Sequence, residues 1–411
     1  MTDTMINDIT FKIDISNLEK YKNNAIEAVN SIRQRAGKKG QFLNWIGLLQ
    51  ETQLKNIDNL FELAKQAKYN KYTDLAILGI GGSRHTTEAL MKMIGKDSDI
   101  HFYSSVDSES FRRFISGLDL SKTQFLVVSK SGGTIETTVA YENAKKVMQE
   151  FLEKDDVSDR FIAMTDISAE KSNLRKIVKA GDIKLSGCVH DDVGGRFSIF
   201  DDATIFTLAY AGVSKEDVIA MLNASLNAQK EFMTPDIMKN PAMQQAAFNV
   251  QSKLNGKQKH FIEYFGDAFQ GATLWEKQLK NESLKAKIST DTNVGPGYLH
   301  YNAEADLDKN NTDSFFTFVY VTPQEKVTKA VLTGVIKAYS NMHPVSTVEL
   351  KDLSLTTLAK FIEFKHFETL YTGNILRQIE GEITDSESAL PEVLQPNVEI
   401  YKKEVRKAMA E

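Results

Sequence analysis

Residues 75–83 read LAILGIGGS, and residues 86–95 continue with TTEALMKMIG. A short apolar run that ends in glycines and leads into a helical pattern is typical of a strand, a turn and a helix. The same figure recurs at HFYSSVD (101–107), QFLVVSKSGGT (124–134) and RFIAMTD (160–166), each followed by a segment of helical composition. Four such alternations predict a parallel sheet with helices on both faces.

The alternation begins again after a mainly helical stretch around 201–254. KHFIEYF (259–265), SFFTFVYVT (314–322) and STVEL (346–350) each precede a helical pattern. We therefore predict an α/β protein with two doubly wound parallel-sheet domains and flanking terminal helices. The predicted parts are a helical N-terminal segment at 1–70, a first domain at 71–205, a helical connector at 206–255, a second domain at 256–390 and a C-terminal helix at 391–411.

Composition narrows the classes of partner. The 50 Lys and Arg residues nearly balance 55 Asp and Glu residues, for a net charge of −5, so no global basic field favours nucleic acid and any anion site is local. The single cysteine, Cys188, fits a reducing cytosol and is better explained as a small buried hydrophobe than as a reactive thiol. The N-terminus lacks the pattern of a signal peptide, and no stretch approaches about 20 apolar residues, so we expect a cytoplasmic protein without a membrane partner.

The first glycine turn, at 79–83, is open to two interpretations. It resembles a dinucleotide fingerprint, but Arg84 stands where G-x-G-x-x-G requires its last glycine. The remaining glycines either form a tight turn or let backbone amides approach an anion at the next helix N-terminus.

The second turn, SKSGGT at 129–134, combines three hydroxyls, one ammonium and two glycines directly before a helix. This inventory suits a phosphate monoester, because hydroxyl and amide donors fix its geometry and Lys130 supplies charge. The loop is not a Walker A motif, which makes a nucleoside triphosphate less suitable than a small phosphorylated metabolite. An ordinary helix cap is the alternative.

Arg196, Glu282 and His300 are three further candidates for a chemical role, and for each of them a purely structural role is the alternative. Arg196 either stabilises an oxyanion or pairs with the nearby Asp191 and Asp192. Gln278 and Glu282 are four residues apart on one helical face, and Glu282 is either a general base or a solvated partner of Lys280, Lys285 or Lys287. His300 lies in a glycine-rich loop without the neighbours of a metal site, so we expect no metal.

The order of these pieces resembles the glucose-6-phosphate isomerase family, in which two sugar-isomerase (SIS) α/β domains carry corresponding motifs. The resemblance runs from about residue 75 to the end. Its last motif is the most specific, with Gln395, Val398, Glu399 and Lys402 at the spacing of the family. The matching pieces are GIGGS (79–83), SKSGGTIET (129–137), GGRFS (194–198), QLKNES (278–283), His300 and QPNVEIYKK (395–403).

The resemblance implies reversible isomerisation of glucose 6-phosphate and fructose 6-phosphate, in glycolysis and gluconeogenesis, with no cofactor. Glu282 would move a proton between C2 and C1 through a cis-enediolate, and Arg196 would stabilise its negative charge. Lys402 and His300 would assist ring opening, with the histidine supplied by the partner of a homodimer. The remaining implied contacts hold the substrate: Gly82, Ser83, Ser129, Lys130, Ser131 and Thr134 bind the phosphate, and Gln278 positions the chain.

Two other functions remain open at this point. One is a non-catalytic sugar-phosphate sensor on the same scaffold, or an isomerase of another hexose phosphate, although residues 1–70 show no helix-turn-helix or basic excess. The other is an NAD-linked oxidoreductase, suggested by the glycine turn and by Asp107 near the end of the following strand.

Overall fold

The structure, a computed structural model, describes residues 2–6, 8–14, 16–69, 72–382 and 384–409. The strands of this part are β1 (Thr2–Ile6), β2 (Ile9–Ile13), β3 (Asp74–Leu78), β4 (Ile100–Tyr103), β5 (Thr123–Val128), β6 (Phe161–Thr165), β7 (Leu185–Cys188), β8 (Lys259–Phe265), β9 (Ser289–Val294), β10 (Ser314–Val321) and β11 (Val345–Leu350). Its α-helices are α1 (Lys22–Arg33), α2 (Leu48–Lys68), α3 (Gly82–Met93), α4 (Ser108–Ser116), α5 (Ile135–Leu152), α6 (Asn173–Ala180), α7 (Asp202–Tyr210), α8 (Lys215–Phe232), α9 (Pro241–Leu254), α10 (Gln270–Leu284), α11 (Pro296–Asp306), α12 (Lys326–Ser340), α13 (Leu355–Ile379) and α14 (Pro396–Ala408).

The first sheet is parallel, with strand order β4-β3-β5-β6-β7. All residues of β5 and β6 are buried, as expected of strands covered by helices on both faces. The direction of strand addition reverses between β3 and β5, and ligands of open α/β sheets bind beyond the carboxyl ends of the strands at such a reversal. The turns that follow Leu78 and Val128 therefore lie side by side at the preferred ligand position.

The second sheet repeats this connectivity with β8 to β11 and adds an antiparallel hairpin, giving the order β1-β2-β11-β10-β8-β9. Strand β2 pairs with β11, where Thr347 lies opposite Lys12. The sequence analysis predicted only helices within 1–70 and missed this hairpin, although Ile9, Phe11 and Ile13 alternate with more exposed residues in the period of a strand. It also missed β7 and β9.

A continuous apolar core joins the two sheets, from Ile77 in β3 to Ile262 in β8. Helix α13 runs through this core with its phenylalanines Phe361, Phe364 and Phe367 fully buried, and it packs against α8, α9 and α10. The predicted α/β class with two doubly wound sheets is confirmed, whereas the five-part division of the chain stays a prediction. Among the helices described, none combines the length and apolar character that crossing a bilayer requires.

Candidate active site

Glu282 and Gln278 form the centre of the candidate site on α10. Their spacing places them on one face of the helix, and Gln278 Nε2 donates a hydrogen bond to Glu282 Oε1 at 3.0 Å. The Glu282 side chain is 24% exposed, so a small ligand can reach a carboxylate that is otherwise held by protein donors.

The three lysines suggested as partners of Glu282 are engaged elsewhere. Lys280 is fully buried and pairs with Glu368, while Lys285 donates to the carbonyl of Pro391 at 2.6 Å. Lys287 pairs with two carboxylates of the segment after α13. The interpretation of Glu282 as a solvated partner of these lysines is therefore wrong.

Arg196 is the cation that faces Glu282. It lies in the 3-10 turn Gly195–Phe197, is fully buried, and its Nη1 is 3.2 Å from Glu282 Oε2. Its Nε donates to Ser283 Oγ at 2.9 Å, and its Nη2 donates to the carbonyl of Glu392. Burial lowers the pKa of Arg196 to about 10, so the guanidinium stays charged near neutral pH. The proposed pairing with Asp191 and Asp192 is wrong for Asp191, whose carboxylate pairs with Lys130 and Lys171.

Two glycines allow the first turn to approach this centre. A Cβ on Gly82 would lie 2.1 Å from the carbonyl of Gly195, so the start of α3 and the turn that carries Arg196 touch through their backbones. Gly81, at φ +58°, leaves room for the Gln278 amide. His85, one turn into α3, has Nδ1 3.2 Å from Gln278 Oε1, and burial lowers its pKa. Gly82, assigned to the phosphate, thus has a packing role, and Ser83 lies half-buried beside it in the first turn of α3.

The SKSGGT loop forms a separate polar turn at the end of β5. The buried hydroxyl of Ser129 accepts from the Gly132 amide at 3.1 Å and lies 3.4 Å from the Thr134 hydroxyl. Ser131 is exposed, and its Oγ accepts from the Gly133 amide. Thr134 precedes α5 without capping it through its side chain, so its hydroxyl has no competing role at the helix N-terminus.

Lys130 is the ammonium of this loop. Its Nζ lies 3.2 Å from the carbonyl of His190 and 3.3 Å from Asp191 Oδ1, and the side chain is 39% exposed. The lysine is therefore held at the surface of the loop by two oxygen partners, where an incoming anion can also reach it.

A histidine and two aspartates behind Lys130 are the described residues that could hold a metal ion. The ligand atoms of His190, Asp201 and Asp202 lie within 4.8 Å of one another. The imidazole Nε2 is 2.9 Å from Asp202 Oδ1, and Gln53 donates to the same oxygen at 2.8 Å. Burial raises the pKa of Asp201 to about 6. Because His190 and Gln53 both bond to Asp202, the cluster also has a structural role, which is to hold in place the segment that contacts Lys130.

The C-terminal motif reaches the site through its first residue. Gln395 Nε2 donates to Glu282 Oε2, the same oxygen that accepts from Arg196. A groove of about 290 Å³ lies between Glu282 and the start of α14, lined by Lys285, Gln395 and Val398 among others. Lys402 lies farther along α14, and its ammonium pairs with Glu399 at 3.0 Å, so within the described residues the structure does not bring it to Glu282.

His300 is also separate from Glu282. It lies in helix α11, and not in a loop as the sequence analysis had it, and its side chain is exposed. In the part of the chain that the structure describes, no contact joins it to the cluster of Glu282, Arg196 and Gln278.

Several residues of the cluster were not predicted from the sequence. His85 has no signal beyond its position next to the glycine turn, and Glu392 contributes a backbone carbonyl that no motif reveals. Ser283 ends the quoted QLKNES motif, and Gln395 begins the quoted C-terminal motif, so both could have been found there.

This arrangement offers a carboxylate that can take up a proton beside a fixed guanidinium that can stabilise an oxyanion. The two turns at the ends of β3 and β5 add amides, hydroxyls and one ammonium for an anionic group. The site therefore suits proton transfer on a small anionic substrate.

The chain is similar in sequence to a family of known proteins. The family model described as Phosphoglucose isomerase matches residues 52–324. The glucose-6-phosphate isomerase of Staphylococcus saprophyticus is 26% identical over 277 residues, covering 65% of this chain and 60% of the relative. That of Clostridium novyi is 27% identical over 270 residues, covering 61% and 57%. The matched region thus spans about three fifths of the length of these relatives.

Solved structures share the fold over nearly the whole chain. A hypothetical protein from Thermus thermophilus has a TM-score of 0.82 at 20% identity and covers 96% of both chains. A glucose-6-phosphate isomerase from Chlamydia trachomatis has a TM-score of 0.81 at 16% identity, covering 99% of this chain and 89% of its own. At these identities the likeness concerns the fold alone.

Proposed function

The chain belongs to the phosphoglucose isomerase family, and on that premise we propose that it interconverts glucose 6-phosphate and fructose 6-phosphate. The observation that carries the proposal is the 3.2 Å contact between a buried Arg196 and a Glu282 carboxylate that is still partly exposed. A base and a fixed cation side by side are what enediolate chemistry requires, because a proton leaves carbon while negative charge grows on the neighbouring oxygen.

In the proposed mechanism Glu282 removes the proton from C2 of the open-chain aldose. The electron pair of that C–H bond forms the C1–C2 double bond of a cis-enediolate, and the former carbonyl oxygen becomes the oxyanion that Arg196 stabilises. The hydroxyl proton then moves from O2 to O1, which transfers the negative charge to O2. The proton on Glu282 returns to C1 as the carbonyl forms at C2, which gives the ketose. Because no electron leaves the substrate, the proposed reaction needs no redox cofactor. Because Arg196 supplies the positive charge beside the oxyanion, the proposed mechanism uses no metal.

Gln278 keeps the base in place for this transfer. Its amide donates to Glu282 Oε1, while its own oxygen faces His85. A carboxylate that is oriented before the substrate arrives loses less entropy in the reaction.

We assign the phosphate to the paired turns of the first sheet. Ser83, Ser129, Ser131 and Thr134 would supply hydroxyl donors, and Lys130 the charge, at the N-termini of α3 and α5. The position of both turns at the reversal of strand order supports this assignment.

We further propose a cytoplasmic homodimer with shared active sites. His300 is exposed, so a second copy could receive it beside its own Glu282. Tyr401 and Val405 of helix α14 and Met409 at its C-cap, all exposed and four residues apart, form an apolar stripe. Ring opening by His300 and Lys402 belongs to this part of the proposal.

Mixing two inactive variants tests the shared site. Glu282→Gln and His300→Ala protomers are co-refolded or subunit-exchanged, and we expect isomerase activity to reappear because one mixed site has both native residues. No recovery in a proven mixed dimer would contradict the exchange of the histidine. Light scattering of the purified protein reports the dimer itself.

The rival functions are distinguished by one assay. Purified protein is incubated with fructose 6-phosphate, and glucose 6-phosphate is detected through a coupled dehydrogenase. Turnover supports the isomerase, whereas tight binding of the sugar phosphate without turnover supports a sensor. Asp107 is the residue that suggested an NAD-linked oxidoreductase. Its side chain caps helix α4 by accepting from the Ser110 amide, which speaks against a role in binding a nucleotide.

A further inference from the structure

Helix α10 carries a second pair of side chains at a spacing of four residues, Glu276 and Lys280. The pair is offset by two residues, or about 200° of helical rotation, from Gln278 and Glu282. It therefore lies on the opposite face of the helix, and both of its side chains are fully buried.

The partners of this pair both come from α13. Lys280 pairs with Glu368, and Lys365 Nζ lies 2.8 Å from Glu276 Oε1. All four side chains are at most 1% exposed. Tyr264 donates a further hydrogen bond to Glu276, and a buried asparagine, Asn249, donates to Glu368 at 3.1 Å.

The two helices carry the charges of these ion pairs in opposite order. Along α10 the order is negative then positive, and along α13 it is positive then negative. A shift of one helix by about one turn would bring Glu276 towards Glu368, or Lys280 towards Lys365, inside the protein. Buried like charges repel strongly, whereas an apolar contact between the same helices would tolerate such a shift.

We propose that these two crossed ion pairs position the catalytic base: they fix the register of α10 on α13, so that Gln278 and Glu282 meet Arg196. The inference rests on the proposed function in taking Glu282 as the base. A displacement of about 1 Å in a reacting group can lower a rate by about 100-fold, so a small error in helix register suffices to impair catalysis.

Two double variants test this role. Lys280→Met with Glu368→Leu replaces one ion pair by apolar groups of similar size, a change that buried pairs often tolerate without loss of stability. Lys280→Glu with Glu368→Lys keeps a pair but makes both of the paired charges on α10 negative and both of those on α13 positive, so a shift that exchanges these partners is no longer penalised.

The matched control lies on the same helix. Lys277 pairs with Asp291 at 2.8 Å, and both side chains are about half exposed. Lys277→Met with Asp291→Leu removes an ion pair of α10 that does not contact α13, and we expect kcat within threefold of the wild type.

Trp275 reports the position of α10 without any need for activity. Its Nε1 donates to the carbonyl of Arg196 at 3.0 Å, and Trp45 is the other of the two tryptophans in the chain. Protein labelled with fluorotryptophan gives two ¹⁹F resonances, which Trp45→Phe assigns.

We expect both double variants to lose at least tenfold in kcat, with KM within threefold, and to shift or broaden the Trp275 resonance. A folded double variant with kcat within threefold of the wild type overturns the proposal, and so does failure of both variants to fold, which would assign the pairs to stability alone. If the wild type does not isomerise the sugar phosphate, the proposed function fails, and the Trp275 resonance still decides whether the pairs set the register.

Discussion

The guanidinium of Arg196 lies 3.2 Å from the carboxylate of Glu282, although the two residues come from different α/β units. Arg196 follows the first sheet, and Glu282 lies in the last turn of α10 in the second. Within the first unit, the backbone contact of Gly82 with Gly195 holds the turn that carries Arg196 against the start of α3. The candidate base and its cation therefore meet only when the two units are assembled.

Replacing Arg196 by lysine tests the role of the cation. The guanidinium donates in three directions, to Glu282, Ser283 and Glu392, and an ammonium on a flexible stem cannot reproduce that fork. We expect kcat for fructose 6-phosphate to fall by about 10²- to 10³-fold, the usual loss for an oxyanion donor. Steady-state kinetics measure the loss, and an Arg196→Lys variant with nearly native kcat would contradict the assignment.

Lys130 and Lys171 offer a matched pair of variants, because both pair with Asp191 but only Lys130 belongs to the SKSGGT loop. A hydrogen bond to a charged group contributes about 1.5–3 kcal/mol, or roughly 10- to 150-fold in affinity. We expect Lys130→Met to raise KM by this factor and Lys171→Met to change it by less than threefold. Equal effects of the two substitutions would place the phosphate elsewhere.

Gly82→Ala tests the close approach of α3 to the turn that carries Arg196. A methyl group there would overlap the Gly195 carbonyl, so we expect the free energy of unfolding to fall by about 3 kcal/mol. Gly334→Ala in α12 is the control, since its Cβ would meet open space, and it should stabilise the protein by about 0.5–1 kcal/mol. Urea unfolding compares the two; a harmless Gly82→Ala would contradict the close approach.

The buried carboxyl group of Glu263 is expected to make the free energy of unfolding depend on pH. Burial raises its pKa from 4.5 to about 7, and its Oε1 accepts from Asn293 at 2.8 Å. Between these pH values the folded protein binds a proton that the unfolded chain has lost, so stability falls as the pH rises, by about 3 kcal/mol in all.

Glu263→Gln stays neutral and keeps an acceptor for Asn293. We expect it to be more stable than the wild type at pH 8, by up to about 3 kcal/mol, and similar to it near pH 5. Unfolding titrations of the variant and the wild type at pH 5 and pH 8 test this. If the two proteins differed in stability by the same amount at both pH values, the Glu263 carboxyl would not titrate in this range.

The sequence predicts most of the sheets because strands such as β5 and β10 contain long apolar runs and lie between glycine or polar turns. It misses β9 (STDTNV), which is polar, and the hairpin β1–β2, whose partner strand β11 lies more than 300 residues away. Pairing partners so distant in sequence leave no local pattern.

In the candidate site, too, the sequence predicts contacts between residues that are near in the chain but not contacts between distant ones. The spacing of Gln278 and Glu282 predicts their contact, because both lie on one helix. For Arg196, neighbours in sequence suggested Asp191, whereas the observed partner is 86 residues away, and only the family resemblance placed the two together. His300 and Lys402 carry assignments from the resemblance alone, and these stay proposals.

The central claim is that the Glu282 carboxylate carries the proton between C2 and C1. Wild-type protein and Glu282→Gln are incubated with glucose 6-phosphate in D₂O, and proton NMR follows both the formation of fructose 6-phosphate and the loss of the C2 proton signal. We predict isomerisation with deuterium incorporation by the wild type, and a loss of at least about 100-fold in both processes for Glu282→Gln, with sugar-phosphate binding retained. Exchange and isomerisation at wild-type rates in Glu282→Gln would contradict the account.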